Sequence, residues 1–302
     1  MSFIESFKRY RKSYANYLSV MYNIKRNKPL IRVKLRSGQK HNWSHWKVTM
    51  YNVITSKVHS NVNIDINSDD DSIVGTLKFT YKGRSLVFSV DKWTDIVKVF
   101  VDEGYKFLDI ENENVIDIGT NIGDSTIYFA VNNAKRVLGL EPYPHSFLLA
   151  SENIKMNNLE EKITLLNAGY GEDGLIKVQS DLQNTHGTDL KPSNEGTKIR
   201  TISLKTLLKE YDYENPVLKM DCEGCEYNLL KEDNETLKKL KRIQIEYHYG
   251  YEELKKRLED AGFSVSFTKP SHIYNKDASN PNMVIGQLYA KRSCEEPHLQ
   301  NL

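Results

Sequence analysis

One stretch near the middle of the chain constrains the fold more than any other, and it reads VIDIGTNIGDSTIYFA from Val115 to Ala130. Its first four residues are mostly apolar, as is typical of a parallel strand that is covered on both faces. Gly119 and Gly123 then permit a tight turn and a close approach of the backbone to a ligand. Asp124 is a candidate N-cap for a following helix. A strand that enters a helix through a glycine turn is how open α/β sheets hold nucleotide-like cofactors.

Strands and helices alternate from this stretch onward. Strands are predicted at 115–118, 136–140, 163–166, 217–220, 243–247, 263–267 and 284–290, and helices at 124–131, 144–156 and 251–261. This alternation predicts an α/β fold with a mostly parallel sheet and helices on both faces. Only a loop separates the last two strands, so we expect them to pair as an antiparallel hairpin at one edge.

The composition indicates a globular protein kept in a reducing compartment. Of the 302 residues, 39% are hydrophobic and 27% are charged, which is ordinary for globular chains. No apolar run is long enough for a transmembrane helix, and the first residues lack the apolar core of a signal peptide. Three cysteines do not make a disulfide framework. We therefore expect a cytoplasmic protein with reduced thiols.

The first forty residues carry a charge excess that the net charge of +2 conceals. They hold eleven Lys or Arg residues against one acid, Glu5. This segment is either a patch for nucleic acid, an acidic membrane or an anionic substrate, or a solvated helix face that docks on the acidic remainder of the chain.

The region before the α/β pattern is predicted to be an extension. We expect a basic helix at 2–24, a second helix within 41–60, a loop at 61–72, a β-hairpin formed by 73–80 and 85–90, and a helix at 93–101. The expected domains are an N-terminal extension at 1–90, a cofactor-binding domain at 91–292 and a tail at 293–302. An insert at 171–200 is either a lid or substrate-recognition element, or a variable surface hairpin.

The turn differs from a dinucleotide-binding fingerprint. Asn121 stands where G-x-G-x-x-G has its second glycine, so a pyrophosphate is not expected there. The first and second strands also bring two acids to the same edge, Asp117 and Glu141. A carboxylate at the second strand accepts hydrogen bonds from both ribose hydroxyls, and one at the first suits an ammonium group. S-adenosylmethionine has a ribose and an ammonium group but no phosphate, so it is the predicted cofactor.

A second motif, residues 219–224, follows the fourth strand and is expected across the mouth of the site from the glycine turn. Asp221 and Glu223 are the candidates for orienting or deprotonating a substrate hydroxyl. Glu246 and His248 follow the next strand. His248 is a candidate base with a pKa near neutral, or else a histidine satisfied by the backbone.

Two other interpretations of this cluster stay open. Cys222 and Cys225 form a C-x-x-C that is either redox-active or half of a zinc site, although no second pair exists. Alternatively, a hard divalent cation is shared by four side chains: Asp221, Glu223, Glu246 and His248. The preferred assignment has no metal.

Five segments together resemble the FkbM family of S-adenosylmethionine-dependent methyltransferases. They are residues 115–125, 139–144, 153–158, 218–227 and 244–248. The resemblance implies a class I methyltransferase (Rossmann-like) fold with a mostly parallel seven-stranded sheet, and methylation of a hydroxyl on a sugar, a polyketide or another small molecule. Thr120 replaces an alanine that is more usual in the family.

The resemblance also implies roles for individual residues. Asp117, Gly119, Asn121 and Gly123 would line the methionine part of the cofactor, with Asp124 beside them. Glu141 would hold the ribose next to Pro142, and Ala168 would lie near the adenine.

The leading hypothesis from the sequence is therefore an O-methyltransferase that acts on a glycan or small molecule. One rival is an RNA methyltransferase that grips phosphates with the basic segment, although no RNA-binding module is recognisable. A second rival is a non-catalytic or NAD-binding α/β protein.

Overall fold

A computed structural model describes residues 3–57, 75–90, 96–178, 196–274 and 281–292. The chain forms two compact units, Met1–Gly104 and Tyr105–Leu302. The domain limits expected at 90 and 292 stay predictions. The loop expected at 61–72 and the tail at 293–302 lie outside the described residues.

The first unit combines three helices with two hairpins. Its elements are α1 (Phe3–Ser13), α2 (Tyr17–Lys25), β1 (Leu30–Lys34), β2 (Lys40–Ser44), α3 (His45–Lys57), β3 (Gly75–Tyr81), β4 (Arg84–Val90) and a π-helical turn, Val97–Val101. The hairpin predicted around residues 81–84 is confirmed, because β3 pairs with β4 in antiparallel register.

Two helix predictions in this unit need correction. The single helix expected at 2–24 is wrong, because the chain leaves the helical path after Ser13 to pair with a neighbouring segment. Tyr14 forms a bridge with Leu35, and the Ala15 N–H donates to the Lys34 carbonyl at 2.7 Å. The helix expected within 41–60 begins only at His45, since the preceding residues form β2.

The second unit contains the α/β pattern. Its strands are β5 (Asn114–Ile118), β6 (Arg136–Leu140), β7 (Ile163–Leu166), β8 (Ala168–Tyr170), β9 (Gly174–Val178), β10 (Thr197–Ile202), β11 (Val217–Met220), β12 (Arg242–Tyr247), β13 (Phe263–Phe267), β14 (Ser271–Tyr274) and β15 (Asn282–Arg292). Its helices are α4 (Asp124–Val131), α5 (Pro144–Met156), α6 (Leu204–Tyr211), α7 (Asn234–Leu237) and α8 (Glu252–Asp260), with 3₁₀ turns at Lys106–Leu108 and Cys225–Lys231.

The predicted sheet is confirmed. Its strands lie in the order β7-β6-β5-β11-β12-β15-β13, and the contacts among the first five are parallel. Every residue of β5 and β11 is buried, although successive side chains point to opposite faces, so both faces of the sheet centre are covered.

The antiparallel pair expected at one edge of the sheet is confirmed. β13 and β15 pair antiparallel, β13 ends the strand order, and β15 pairs on its other side with β12. β15 is long enough for its first residues to pair also with β14, an eighth strand that was not predicted.

The described part of the insert contains two short strands. β9 and β10 pair antiparallel, and β10 also pairs with β8 in parallel register. Residues 179–195 lie outside the described residues, so a role of this insert as a lid stays a prediction. Among the described residues, no helix has both the length and the apolar character needed to cross a bilayer.

The register of the central strands positions the two motifs. Asp117 on β5 lies beside Lys219 on β11 and Gly139 on β6. Because all three strands run in the same direction, the glycine turn and the residues after β11 leave the same edge of the sheet side by side.

Candidate active site

The turn after β5 has a backbone that strongly favours glycine. Gly119 and Gly123 have φ angles of 80° and 83°, and Asn121 between them also lies in the left-handed region at 48°. The N–H groups of Gly119 and Thr120 both donate to the Leu140 carbonyl, at 3.0 and 3.1 Å. The turn is therefore fixed to the end of β6, where Glu141 follows.

The helix after the turn begins one residue earlier than a cap at Asp124 would require. Gly123 occupies the N-cap position, and Asp124 is the first residue of α4. The left-handed φ of Gly123 ends the turn, so Asp124 enters the helix itself. Its buried carboxylate then lies in the first turn, where the helix dipole favours negative charge.

Gly119 is where the two motifs touch. A Cβ atom built on this glycine would overlap the carbonyl oxygen of Asp221 and lie 2.8 Å from its carbonyl carbon. The Asp221 N–H also donates to the Ile118 carbonyl at 3.1 Å. The backbone of the second motif therefore rests directly on the glycine turn.

We expect Gly119→Ala to abolish cofactor binding, because the added methyl group must push apart the turn and the residues after β11. The backbone conformation adds to this effect, since a non-glycine residue in the left-handed region costs roughly 1–2 kcal/mol. Calorimetric titration measures it, with Gly262→Ala as the matched control. Gly262 has a φ of 91° and no neighbour within 4 Å of an added Cβ, so the control should keep cofactor affinity.

Glu141 is a buried carboxylate with backbone donors on both oxygens. Oε2 accepts from the Asn121 N–H at 2.8 Å, and Oε1 accepts from the Tyr143 N–H at 3.0 Å. Burial raises the pKa of Glu141 to about 7, although these two donors oppose the shift. The negative charge of Glu141, which would strengthen its hydrogen bonds with ribose hydroxyls, therefore depends on pH in the neutral range.

The predicted adenine side lies next to Glu141. The Asn167 side chain donates to the carbonyl groups of Glu141 and Pro142, at 2.9 and 3.1 Å. Ala168 follows as the first residue of β8 and is buried. Asn167 thus joins the segment that begins with Ala168 to Glu141 and Pro142, and the roles of these three residues toward a cofactor stay predictions.

Asp117 has a buried cationic partner that the sequence analysis missed. The Lys219 ammonium lies 2.9 Å from Oδ1 of Asp117, and Oδ2 accepts from the Ser125 hydroxyl at 2.6 Å. Burial lowers the pKa of Lys219, but the charge and hydrogen bond of Asp117, together with the charges of Asp221 and Asp124, make the net shift upward. Lys219 Nζ also donates to the Gly119 carbonyl at 2.7 Å, so it joins the pair to the turn.

The sequence did contain a signal that Lys219 has a buried partner of opposite charge. Lys219 is the only charged residue in the run Val217–Met220, which forms a strand that is wholly buried. A charged side chain in such a strand requires a buried partner of opposite charge.

His248 joins the second motif to the strand beside it. Its Nε2 lies 3.2 Å from Glu223 Oε2 and 4.0 Å from Asp221 Oδ1. Its Nδ1 and its backbone N–H both lie 3.0 Å from Oε1 of Glu226, a carboxylate that is completely buried and was not predicted.

The expectation of a near-neutral pKa for His248 is wrong. Burial lowers this pKa, but the hydrogen bond and charge of Glu226, together with the charges of Glu223 and Asp221, raise it to about 10. The imidazole is therefore protonated at neutral pH. It is then a cationic donor beside the carboxylates of Glu226 and Glu223, and in this state it cannot accept a proton.

Three of the four residues that were considered as cation ligands converge. The ligand atoms of Asp221, Glu223 and His248 lie within 4.8 Å of one another, and a divalent cation held there would have to displace the proton of His248. Glu246, the fourth residue, accepts a hydrogen bond from Gln287 at 2.9 Å.

The expectation of reduced thiols is wrong for two cysteines. Cys222 and Cys225 form a disulfide across Glu223 and Gly224. Glu223 and Gly224, which lie between the two cysteines, have positive φ angles of 56° and 112°. In this state the pair supplies no thiolate for zinc and closes the loop that carries Glu223.

Comparisons with known proteins identify the type of domain. Residues 117–265 match the family described as the methyltransferase FkbM domain. The chain is 28% identical over 183 residues to the hexuronic acid methyltransferase AglP of Haloferax volcanii, which covers 58% of this chain and 71% of that protein.

Two solved structures match part of this chain with low TM-scores. Precorrin-6y C5,15-methyltransferase from Geobacter metallireducens is 14% identical, with 62% of this chain and 87% of that chain covered and a TM-score of 0.35. Methanocaldococcus jannaschii Trm5, solved in complex with adenosine, is 16% identical, with 76% and 57% covered and a TM-score of 0.40.

Proposed function

We propose that this chain, an S-adenosylmethionine-dependent methyltransferase with an FkbM domain at residues 117–265, methylates a hydroxyl group of a sugar or glycan. The observation that carries the proposal is the contact between Gly119 and the Asp221 backbone, because it sets the cofactor turn directly beside a pair of carboxylates. The similarity to a hexuronic acid methyltransferase supports a uronic acid sugar as the first acceptor to try.

The residues of the turn and of β6 fit the cofactor. Glu141 would accept hydrogen bonds from the ribose hydroxyls, and Ala168 would pack near the adenine. Asp117, Gly119, Asn121, Gly123 and Asp124 would line the methionine end, although Asp117 is already neutralised by Lys219. The bound cofactor supplies an activated methyl group on a sulfonium.

The residues after β11 and β12 fit the acceptor. A sugar hydroxyl is a weak nucleophile, so a carboxylate that accepts its proton assists the transfer. We assign this role to Asp221, which adjoins the turn, and we assign Glu223 to orienting the acceptor. His248, held protonated by Glu226, fixes Glu223 in position. Positioning of the reacting groups supplies much of the remaining rate.

Cofactor affinity is expected to decrease as the pH is lowered through 7, because Glu141 becomes protonated. Its pKa of about 7 means that the carboxylate is mostly ionised at pH 8 and mostly protonated at pH 6. We therefore expect the dissociation constant of S-adenosylmethionine to rise roughly 10-fold between these two values. Calorimetry across this range measures the slope. Glu141→Gln should bind weakly at both values, and a wild-type affinity that does not change with pH would contradict the assignment.

Methyl transfer to glycosides is the test of the proposed function. Incubation with methyl-labelled S-adenosylmethionine and a panel of glucuronides and neutral glycosides should label a sugar, and the label should resist mild alkali as an ether does. An alkali-labile product would be a methyl ester of a carboxylate, which needs no base, and it would contradict the hydroxyl assignment.

The two rival functions have less support. A methyltransferase domain argues against an NAD-binding or non-catalytic protein, and the sugar-directed relative favours a glycan over RNA. The cytoplasmic location stays a prediction.

A further inference from the structure

The N-terminal region contains a long stretch without any acidic residue. From Ser6 to Ile64 there are thirteen Lys or Arg residues and no Asp or Glu. Methyl transfer as proposed above uses none of these residues. The described part of the stretch, residues 6–57, has a defined fold with its own core, so its surface can be examined for a partner.

One face of α2 exposes apolar side chains next to cations. Leu18 and Tyr22 lie one helical turn apart and are 61% and 57% exposed, whereas Val20 on the other side of the helix is completely buried. The Arg26 guanidinium lies 5.2 Å from the centre of the Tyr22 ring, and Lys25 beside it is exposed. Apolar tips and positive charges thus share one helix face, as in helices that lie in a membrane interface.

The adjoining strand β1 repeats this combination. Leu30 is 59% exposed, and Arg32 and Lys34, which point to the same side of the strand, are also exposed. Asn16, the residue before α2, fixes the helix to this strand, because its side chain donates to the Arg32 carbonyl at 2.9 Å and accepts from the Lys34 N–H at 2.7 Å.

We propose that α2 and β1 form a docking surface for an anionic lipid bilayer. Lys25, Arg26, Arg32 and Lys34 would bind lipid phosphate and carboxylate groups, while Leu18, Tyr22 and Leu30 enter the boundary between headgroups and acyl chains. The charge of the surface complements a membrane that contains phosphatidylserine or phosphatidylinositol.

The exposed leucines decide between a membrane and a nucleic acid. Both partners attract Lys and Arg, but binding to a nucleic acid is stabilised by aromatic stacking and phosphate contacts. Leu18 and Leu30 contribute neither of these. A bilayer interface accepts aliphatic side chains, and tyrosine is enriched there.

Vesicle co-sedimentation of the full-length protein tests this proposal. The probe is a phosphatidylcholine vesicle with about one third phosphatidylserine, compared with pure phosphatidylcholine. We expect binding to the anionic vesicles that is at least roughly 10-fold tighter than to the neutral ones and that weakens in high salt.

Two double variants separate the contributions. Leu18→Ser with Tyr22→Ser removes the two apolar tips on α2, and Lys25→Gln with Arg26→Gln removes two of the four positive charges. Each should weaken binding to anionic vesicles roughly 10-fold, because each reduces one of the two attractions. Leu148→Ser is the matched control, since Leu148 is a leucine of the second unit that is 66% exposed. It should bind as the wild type does.

Three results would overturn the proposal. The first is equal vesicle binding by the wild type and the serine double variant. The second is equal binding of the wild type to both vesicle types. The third is a wild type that binds single-stranded RNA but no vesicles, with RNA binding lost in the glutamine double variant. Circular dichroism confirms that every variant is folded. These readouts do not depend on methyl transfer, so the membrane proposal can fail while the proposed function stands, and the reverse also holds.

Discussion

Replacing Lys219 with methionine is expected to lower the free energy of unfolding by about 3–5 kcal/mol, because it leaves the Asp117 carboxylate buried without its cation. Both side chains are almost fully buried, and their charged atoms lie 2.9 Å apart. The same substitution removes the donor to the Gly119 carbonyl, so the cofactor turn loses a tie to β11. Urea unfolding followed by circular dichroism measures the change.

Two further variants test this explanation. Asp117→Asn combined with Lys219→Met removes both charges, and it should recover part of the lost stability because no unpaired charge remains. Lys205→Met removes a lysine from an exposed pair with Asp233, and it should change the free energy of unfolding by less than about 1 kcal/mol. A Lys219→Met protein as stable as the Lys205→Met control would show that the buried pair does not hold the turn.

Asp221→Asn is expected to lower turnover by roughly 10²–10⁴-fold while S-adenosylmethionine affinity changes little. The amide cannot take the acceptor proton, but the backbone contact between residue 221 and Gly119 is retained. Turnover numbers from the methyl-transfer assay and calorimetric affinities measure the two quantities separately.

Other acidic residues serve as controls for this variant. Glu223→Gln should lower turnover less than Asp221→Asn, because we assign Glu223 to orientation rather than to proton transfer. Asp260→Asn changes an exposed aspartate of α8 and should leave turnover unchanged. Full turnover in Asp221→Asn would show that Asp221 is not the base, and a parallel loss of cofactor affinity would show that it supports the cofactor instead.

Features that depend on neighbouring residues in the chain were predictable. The glycine turn, Glu141 at the end of β6 and the β3–β4 hairpin each follow from a few adjacent residues with strong local preferences. The break between α1 and α2 was not predictable in this way. The aromatic spacing continues across Tyr14, and only pairing with Leu35 shows that the helix ends there.

The protonation of the site could not be read from the sequence. His248 has an ordinary histidine pKa in isolation, and its shift arises from Glu226 on a separate 3₁₀ turn. Likewise, Asp117 and Lys219 face each other only because β5 and β11 are paired in this register. The identities of Asp117, Asp221, Glu223 and His248 were evident, but which of them carry a proton depends on tertiary contacts.

Calorimetric titration of S-adenosylmethionine into wild type and Glu141→Ala tests the central claim most directly, with Glu152→Ala, an exposed α5 glutamate, as the matched control. We expect one site in the wild type and in the control. We also expect an affinity roughly 100-fold weaker in Glu141→Ala, since two hydrogen bonds to a charged group are lost. NAD should give no binding heat. Unchanged affinity in Glu141→Ala, or binding of NAD in place of S-adenosylmethionine, would contradict the account.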